Sequence, residues 1–221
     1  MSAVIMPTVF ATTKSEFKER FARLVNNFEY IHIDFMDGKF VKAKSVDLGD
    51  VPDLHGYHAF FEAHLMVERP EKMIFYLKEK GFSKVLFHYE SYRNSKSVQN
   101  LIDMIKDEGM EAWIVFNPHT SLEEIEKTLL DVDRFNGIML MGHNPGMERQ
   151  YIDLHIFRRI QTLKRMSKKF LIQVDGGVNG STISALVNSG ADILNSGSFI
   201  SDAKNSREAY RILKNELNYK E

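Results

Sequence analysis

Short apolar segments recur at regular intervals along the chain, and longer amphipathic segments separate them. The clearest apolar segment, residues 30–36, places Ile31, Ile33 and Phe35 at alternate positions, and this period of two predicts a β-strand. Seven further segments of similar character predict strands at 4–6, 59–67, 84–88, 112–116, 137–141, 170–174 and 192–195. Continuous apolar strands are typical of parallel sheets that are buried on both faces, so the pattern favours an α/β protein.

Helical spacing of apolar residues follows most of these strands. It predicts helices at 14–27, 70–80, 97–108, about 150–166, 181–188 and about 205–217, with Thr13 as a candidate N-cap, and one more helix after Ser121, where Ser121 and Glu124 have capping-box spacing. Residues 39–58 lack a convincing helix, and we expect a long loop there. Alternation through eight units predicts that residues 1–221 form a single (β/α)8 barrel domain, or TIM barrel; an open doubly wound sheet is the alternative.

The composition narrows the classes of partner. A chain of 221 residues that is 43% hydrophobic and 27% charged is typical of a soluble globular protein. The formal net charge of -1 gives no general attraction to nucleic acid or to an anionic membrane. No apolar run approaches the roughly 18 residues of a membrane span, and no signal-peptide pattern is present. We therefore expect a cytoplasmic protein.

The chain contains no cysteine, which excludes disulfides and thiol nucleophiles, so that a bound metal must use His, Asp or Glu. His32 and Asp34 end the second strand and point to the same face, His64 ends the third strand, His88 the fourth, and Asp175 follows the seventh. In a barrel these ends meet at one mouth, where the imidazoles of His32 and His64 and the carboxylates of Asp34 and Asp175 suit a divalent cation such as zinc, iron or manganese, with no role assigned to His88. The alternative is a set of hydrogen-bonded pairs that tie loops together.

Glycines form a second group of candidates. Gly176 and Gly177 follow strand seven, and Gly197 with Ser198 follows strand eight. Barrels often bind phosphate with the loops after these two strands, where glycine lets backbone N–H groups come close to the anion. Ordinary turns are the competing interpretation.

Several motifs, in this order along the chain, point to a known family. They are His32-Ile33-Asp34-Phe35-Met36-Asp37-Gly38, His64-Leu65-Met66-Val67, Asn117-Pro118-His119-Thr120, Val174-Asp175-Gly176-Gly177-Val178-Asn179, Gly190-Ala191-Asp192 and Gly197-Ser198. Along nearly its whole length the chain resembles the ribulose-phosphate 3-epimerase family. The resemblance implies a small-molecule sugar phosphate as substrate and self-association into dimers or hexamers.

The resemblance also implies roles for particular residues. It places one divalent metal ion on His32, Asp34, His64 and Asp175, with Asp34 and Asp175 as the acid/base pair. These carboxylates would remove a proton from C3 on one face and return one on the other, through a metal-stabilised enediolate, so that D-ribulose 5-phosphate becomes D-xylulose 5-phosphate. The substrate contacts that it implies come from Thr8, Met36, Met66, Met141, Gly146, Gly176, Gly177, Gly197 and Ser198. The methionines have a second interpretation, since methionine often fills irregular core gaps.

The loop after strand six, within 141–150, departs from the family pattern. Two of its usual glycines are replaced by Glu148 and Arg149, and after residue 41 the usual Pro-Asn is replaced by Lys42 and Ala43. Glu148 places a negative charge where phosphate is expected, whereas Arg149 could bind phosphate through its guanidinium.

These departures leave alternatives open. One is the same chemistry on another ketose phosphate, such as allulose 6-phosphate. Another is a barrel that binds a sugar phosphate without turning it over. A metal-dependent aldolase or hydrolase is less favoured, because no predicted strand ends in a lysine that could form a Schiff base.

Overall fold

Eight parallel β-strands pair in chain order, and the last pairs with the first, so that the sheet closes into a barrel. This computed structural model describes residues 3–166 and 170–218, and the eight strands lie within that part of the chain. The strands are β1 (Val4–Val9), β2 (Tyr30–Met36), β3 (Phe60–Met66), β4 (Lys84–His88), β5 (Glu111–Phe116), β6 (Gly137–Met141), β7 (Leu171–Asp175) and β8 (Ile193–Ser196). The predicted (β/α)8 fold is confirmed, and the open doubly wound sheet is wrong.

Helices alternate with the strands along most of the chain. They are α1 (Lys14–Val25), α2 (Ile74–Lys80), α3 (Ser95–Asp107), α4 (Leu122–Asp131), α5 (His155–Lys164), α6 (Ile183–Ser189), α7 (Ser198–Ser201) and α8 (Ser206–Asn218). Between β2 and β3 lies the long loop that the sequence predicts, with one 3₁₀ turn at Leu48–Asp50.

Apolar side chains form two layers, because successive residues of a strand point to opposite faces of the sheet. Outward-facing strand residues form one large cluster with helix residues such as Leu24, Ile102 and Ile160. Inward-facing residues fill the barrel itself, in a smaller cluster of Leu86, Trp113, Val115, Met139 and Met141. The barrel interior is therefore packed with side chains.

Side-chain caps explain where several helices begin. Thr13 Oγ1 accepts a hydrogen bond from the Glu16 N–H (3.2 Å), and Ser121 Oγ accepts one from the Glu124 N–H (3.2 Å). Both predicted N-caps are confirmed. The carboxylate of Glu124 accepts a hydrogen bond from the Tyr89 hydroxyl (3.0 Å). Glu124 therefore also contacts the turn that follows β4.

The first strand is longer than the apolar run that predicts it. Strand β1 continues through Pro7 to Val9, although proline lacks the N–H that a strand normally donates. The pairing changes neighbours at this point: Pro7 aligns with Ser196 of β8, and Thr8 aligns with His32 of β2. Thr8 thereby lies next to the second strand at the barrel mouth.

The helix after β6 begins at His155 and not near residue 150 as expected. The Asp153 N–H donates to the Gly142 carbonyl (2.6 Å), and the Asp153 carboxylate accepts from the His155 N–H (2.9 Å). These contacts hold residues 142–154 as a loop that crosses the barrel mouth.

Other boundaries also differ from the predictions. Helix α3 begins two positions earlier than expected because Asn94 caps it, accepting from the Ser97 N–H at 2.8 Å. A 3₁₀ turn at Pro70–Lys72 precedes α2, so that proline begins a turn and the α-helix follows it. Helix α6 begins at Ile183, and the short α7 after β8 was not predicted.

Candidate metal centre and substrate pocket

Four side chains meet at the carboxyl ends of three strands, and they are the four that the sequence predicts as metal ligands. His32 and Asp34 come from β2, His64 from β3 and Asp175 from β7. One ligand atom from each lies within 4.8 Å of the others. We call these four residues the ligand cluster.

The cluster is drawn together by strand register. Asp34 aligns with His64 across the β2–β3 pair, and Nδ1 of His64 lies 2.7 Å from Oδ1 of Asp34. Nε2 of His32 lies 3.2 Å from the same oxygen, and Oδ2 of Asp175 lies 3.6 Å from Nδ1 of His64. Two imidazole nitrogens and two carboxylates, nearly all buried, form a donor set that fits a divalent cation such as zinc, iron or manganese.

The two carboxylates of the cluster have opposite pKa shifts. Burial alone would raise the pKa of Asp34, but the adjacent His32 and His64 outweigh burial and lower that pKa. Burial and the negative charge of Asp34 raise the pKa of Asp175, and the two histidines oppose this only in part. One carboxylate is therefore held ionised while its neighbour takes up a proton more readily, which is a common arrangement for an acid/base pair.

His32 is held from behind by a carboxylate. Its Nδ1 is hydrogen-bonded to Oε1 of Glu62, which leaves Nε2 facing the cluster. Although burial would lower the pKa of His32, Asp34 and Glu62 raise it to about 10. A cation bound at Nε2 would replace that proton, because a histidine ligand must release the proton from its ligating nitrogen.

Glu62 in turn belongs to a buried polar layer inside the barrel. Lys84 Nζ lies 2.7 Å from Oε2 of Glu62 and donates to Oε1 of Gln173 at 2.6 Å. The Gln173 amide donates back to Glu62 Oε1 (2.6 Å), and Lys84 Nζ lies 3.5 Å from the centre of a Trp113 ring. No local pattern in the sequence indicated this layer, because its members come from four different strands.

A second series of hydrogen bonds holds His64, and His88 is part of it. Nε2 of His64 lies 2.9 Å from Nε2 of His88, whose Nδ1 lies 3.3 Å from Oε2 of Glu90. Because an ionised carboxylate only accepts, Nδ1 of His88 carries a proton and its Nε2 accepts from His64. Nδ1 of His64 is then the nitrogen that faces the cluster.

The far end of that chain is also anchored. Oε1 of Glu90 accepts hydrogen bonds from the Asn117 N–H (2.8 Å) and from the Thr120 hydroxyl. The motif that begins at Asn117 therefore contributes to the site indirectly, by fixing Glu90 and through it His88. The sequence signal was the pair His88 and Glu90, two residues apart at the end of a strand.

A cavity of about 520 Å³ opens beside the ligand cluster. Asp34 and Asp175 line it, and it is open enough to admit a small sugar phosphate. The predicted substrate contacts that line it are Thr8, Met66, Met141, Gly146, Gly176, Gly177, Gly197 and Ser198. Met36, which aligns with Met66 across the β2–β3 pair, is buried, is not among the lining residues, and donates its N–H to Ser45 Oγ (2.9 Å).

The loop after β6 crosses the two glycines after β7 and leaves no room for a side chain at either position. Gly176 and Gly177 have φ of 97° and 75°, a region that favours glycine. A Cβ on Gly176 would lie 2.9 Å from the His143 ring, and one on Gly177 would lie 2.7 Å from Cβ of Ile152. The loop after β6 thus lies directly over the loop after β7.

The altered residues of the β6 loop occupy different positions. A carboxylate oxygen of Glu148 lies 3.6 Å from where a Cβ on Gly197 would be, and Glu148 lines the cavity. Arg20 Nη1 donates to both oxygens of Glu148 at 3.1 and 3.0 Å. Arg149, which could bind phosphate according to the sequence, also lines the cavity; its side chain is 72% exposed and donates to Asp202 at 2.8 Å. Arg20, a buried residue of α1, was not predicted.

Solved structures with low sequence identity have a similar fold. One is KGPDC from Streptococcus mutans, with a TM-score of 0.71, 13% identity and coverage of 99% of this chain and 98% of that chain. Another is 3-hexulose-6-phosphate synthase from Salmonella typhimurium, with a TM-score of 0.71, 16% identity and coverage of 99% of both chains. These likenesses support the barrel fold.

Sequence comparisons give the family. A chain named ribulose-phosphate 3-epimerase from Aquifex aeolicus is 32% identical over 191 residues, which cover 84% of this chain and 83% of the relative. Its counterpart from Bacillus subtilis is 32% identical over 190 residues, 81% of this chain and 82% of the relative. A relative from rice is named as a cytoplasmic isoform of ribulose-phosphate 3-epimerase. It is 27% identical, and the match covers 96% of this chain and 93% of the relative. The model of the ribulose-phosphate 3 epimerase family matches residues 4–201, and the chain therefore belongs to this family of isomerases.

Proposed function

We propose that this protein is a metal-dependent epimerase that inverts C3 of D-ribulose 5-phosphate to form D-xylulose 5-phosphate. One observation carries the proposal: Asp34 and Asp175 line one cavity beside His32 and His64, with the four ligand atoms within 4.8 Å of one another. The names of the relatives support the same substrate.

The two carboxylates perform the proton transfers. Asp34 accepts the C3 proton in one direction. Asp175 delivers a proton to the other face of C3, and the roles exchange in the reverse direction. A divalent cation on the ligand cluster supplies Lewis-acid stabilisation of the negative charge that develops on the substrate oxygens.

Buried residues position the two histidines for this role. Glu62 holds Nδ1 of His32, and the His88–Glu90 pair holds Nε2 of His64. Each imidazole then presents its other nitrogen to the cation in a fixed orientation, which raises the affinity of the site.

The phosphate group binds at the far end of the cavity, between the loops after β7 and β8. We call this region, formed by Gly176, Gly177, Gly197 and Ser198, the phosphate end. All four residues line the cavity. Backbone N–H groups in glycine loops approach phosphate oxygens closely, and barrels commonly use these two loops for that purpose.

A second candidate is the same chemistry on another ketose phosphate, such as allulose 6-phosphate. This alternative is retained because Glu148 lines the cavity at the phosphate end. A carboxylate there changes the charge that the substrate meets at that end. A barrel that binds a sugar phosphate without turnover is less supported, because the candidate metal ligands include both carboxylates that the acid/base chemistry needs.

Solvent deuterium exchange tests the proposal. The chelated protein is reloaded with zinc, manganese or iron(II), mixed with each ketose phosphate in D2O, and deuterium at C3 is measured. We expect exchange with wild type and its loss in Asp34→Asn and in Asp175→Asn, while Asp107→Asn on the outside of the barrel remains active. Full turnover by either site variant would refute the two-carboxylate mechanism, and saturable binding without exchange would indicate a binding protein.

Part of the cellular context is also proposed. No helix among residues 3–166 and 170–218 is long and apolar enough to cross a membrane. We place the protein in the cytoplasm. The single-domain organisation and the self-association stay predictions, and light scattering after gel filtration measures the latter.

A further inference from the structure

Glu148 lies beside the phosphate end of the cavity. Its carboxylate faces Gly197 of the phosphate end, at 3.6 Å from the position of a Cβ there, and its side chain is 19% exposed. A carboxylate and a phosphate oxygen compete for the same N–H donors and repel each other at close range. The Glu148 carboxylate therefore opposes a phosphate group at this end of the cavity.

Arg20 fixes Glu148 in this position. The buried guanidinium uses Nη1 for the two oxygens of Glu148 and for the Phe10 carbonyl. Its Nη2 lies 2.9 Å from Asp202 and 3.4 Å from Glu16. Since each terminal nitrogen already has acceptors, Arg20 has little capacity left for a phosphate while Glu148 stays in place.

The charges around the phosphate end also oppose an anion. The positive groups are Arg20 and Arg149, and the negative groups are Glu16, Glu148 and Asp202. Three carboxylates against two guanidinium groups leave this region with an excess of negative charge. Neutralising Glu148 would balance the charges and release one face of Arg20.

We infer that Glu148 is a specificity residue that occupies the phosphate end in the free protein, so that a phosphorylated ketose binds only by displacing it from Arg20. This inference rests on the proposed function. The carboxylate competes with the phosphate group, and the protein binds phosphorylated substrates more weakly than its barrel would otherwise allow. Glu148 is not one of the two proton-transfer carboxylates, so its main effect is on substrate binding.

Neutral substitutions at Glu148 test this competition. The metal-loaded full chain is titrated calorimetrically with inorganic phosphate, and KM and kcat are measured for D-ribulose 5-phosphate. We expect Glu148→Gln to bind phosphate about tenfold more tightly and to lower KM by a similar factor, with kcat unchanged, since removal of a facing like charge favours the anion. Phosphate bound at the cation is common to wild type and variant and is fitted as a separate site, so that the second site reports the effect of Glu148.

Two further variants make the result decisive. Glu148→Ala removes the carboxylate with a different side-chain shape, so a folding defect in one variant does not decide the result. Glu79→Gln makes the same charge change on the exposed face of α2, and we expect it to match wild type. Unchanged or weaker phosphate binding and an unchanged KM in folded Glu148 variants would overturn the inference.

The same experiment separates this inference from the proposed function. Tighter phosphate binding by the Glu148 variants, with no turnover of D-ribulose 5-phosphate by any protein, would support the role of Glu148 and overturn the proposed activity. Turnover by wild type that is insensitive to Glu148 would support the activity and overturn the role.

Discussion

Nε2 of His64 and Nε2 of His88 lie 2.9 Å apart, so one imidazole of the ligand cluster is hydrogen-bonded to an imidazole outside it. His88 is then fixed by Glu90, which the backbone of Asn117 holds in turn. The orientation of a candidate metal ligand thus depends on a carboxylate in the turn that follows a neighbouring strand.

Glu90→Gln should weaken cation binding. The amide lacks the charge that keeps a proton on Nδ1 of His88, so His64 loses its fixed orientation, and loss of such a partner typically costs about 10–100-fold in metal affinity. Competition with a chromogenic chelator measures the affinity without an activity assay. Glu79→Gln serves as the control and should bind the cation as wild type does. Equal affinity in both variants would show that His88 and Glu90 are only packing residues.

Lys84→Met should destabilise the fold. It leaves the carboxylate of Glu62 buried without its cation, and breaking a buried ion pair from one side costs about 3–5 kcal/mol. Urea denaturation measures the loss of the free energy of unfolding. The double variant Glu62→Gln with Lys84→Met should recover much of the stability, yet bind metal more weakly because His32 has lost its carboxylate. Poor stability in the double variant would argue against an ion-pair origin.

Asp37→Ala should loosen the loops after β2 and β3. Asp37 accepts hydrogen bonds from the N–H groups of Lys39, Phe40 and Glu68, each at 2.8 Å. Because the alanine side chain accepts none of these hydrogen bonds and the site is partly exposed, we expect a destabilisation of about 1–3 kcal/mol at neutral pH, measured by urea denaturation. Asp37→Asn keeps one oxygen and should be less destabilised.

The same hydrogen bonds predict a pH dependence. Burial would raise the pKa of Asp37, but the hydrogen bonds from Glu68, Phe40 and Lys39 outweigh it and lower the pKa. A lowered pKa in the folded state means that the stabilisation is complete above the unfolded value of about 3.9 and disappears as the pH falls through the folded value. The stability difference between wild type and Asp37→Ala should therefore shrink below about pH 4, as urea denaturation across pH 3–7 would show. A difference that is constant with pH would contradict this account.

Gly177→Ala should damage both the fold and the phosphate end. Its φ of 75° and the approach of Ile152 leave no room for a Cβ, and we expect a loss of about 1–3 kcal/mol in the free energy of unfolding and a raised KM. Gly180→Ala is the matched control in the same segment, because a Cβ there meets no atom within 4 Å. Thermal unfolding and steady-state kinetics of the pair check the prediction. Similar behaviour of the two variants would contradict it.

Much of the barrel could be predicted because its signals are local. Apolar runs mark the eight strands, helical spacing marks most of the helices between them, and Ser121 shows where one helix begins. Boundaries were less predictable where tertiary contacts set them. For example, the sequence pattern alone predicts that a helix begins near residue 150. The hydrogen bond between Gly142 and Asp153 holds the chain in a loop until residue 154.

The sequence by itself placed His32, Asp34, His64, His88 and Asp175 at strand ends, and the resemblance to the family selected four of them as the ligand cluster. His32 and Asp34 share a face through strand geometry, and strand ends in any closed parallel barrel converge at one mouth, which is why these side chains meet. Only the tertiary structure decided which other side chains contact these residues and line the cavity. The contacts of Glu62 with Lys84, and of Arg20 with Glu148, join residues far apart in the chain, and no local period or motif records which of two distant polar side chains face each other when the barrel closes.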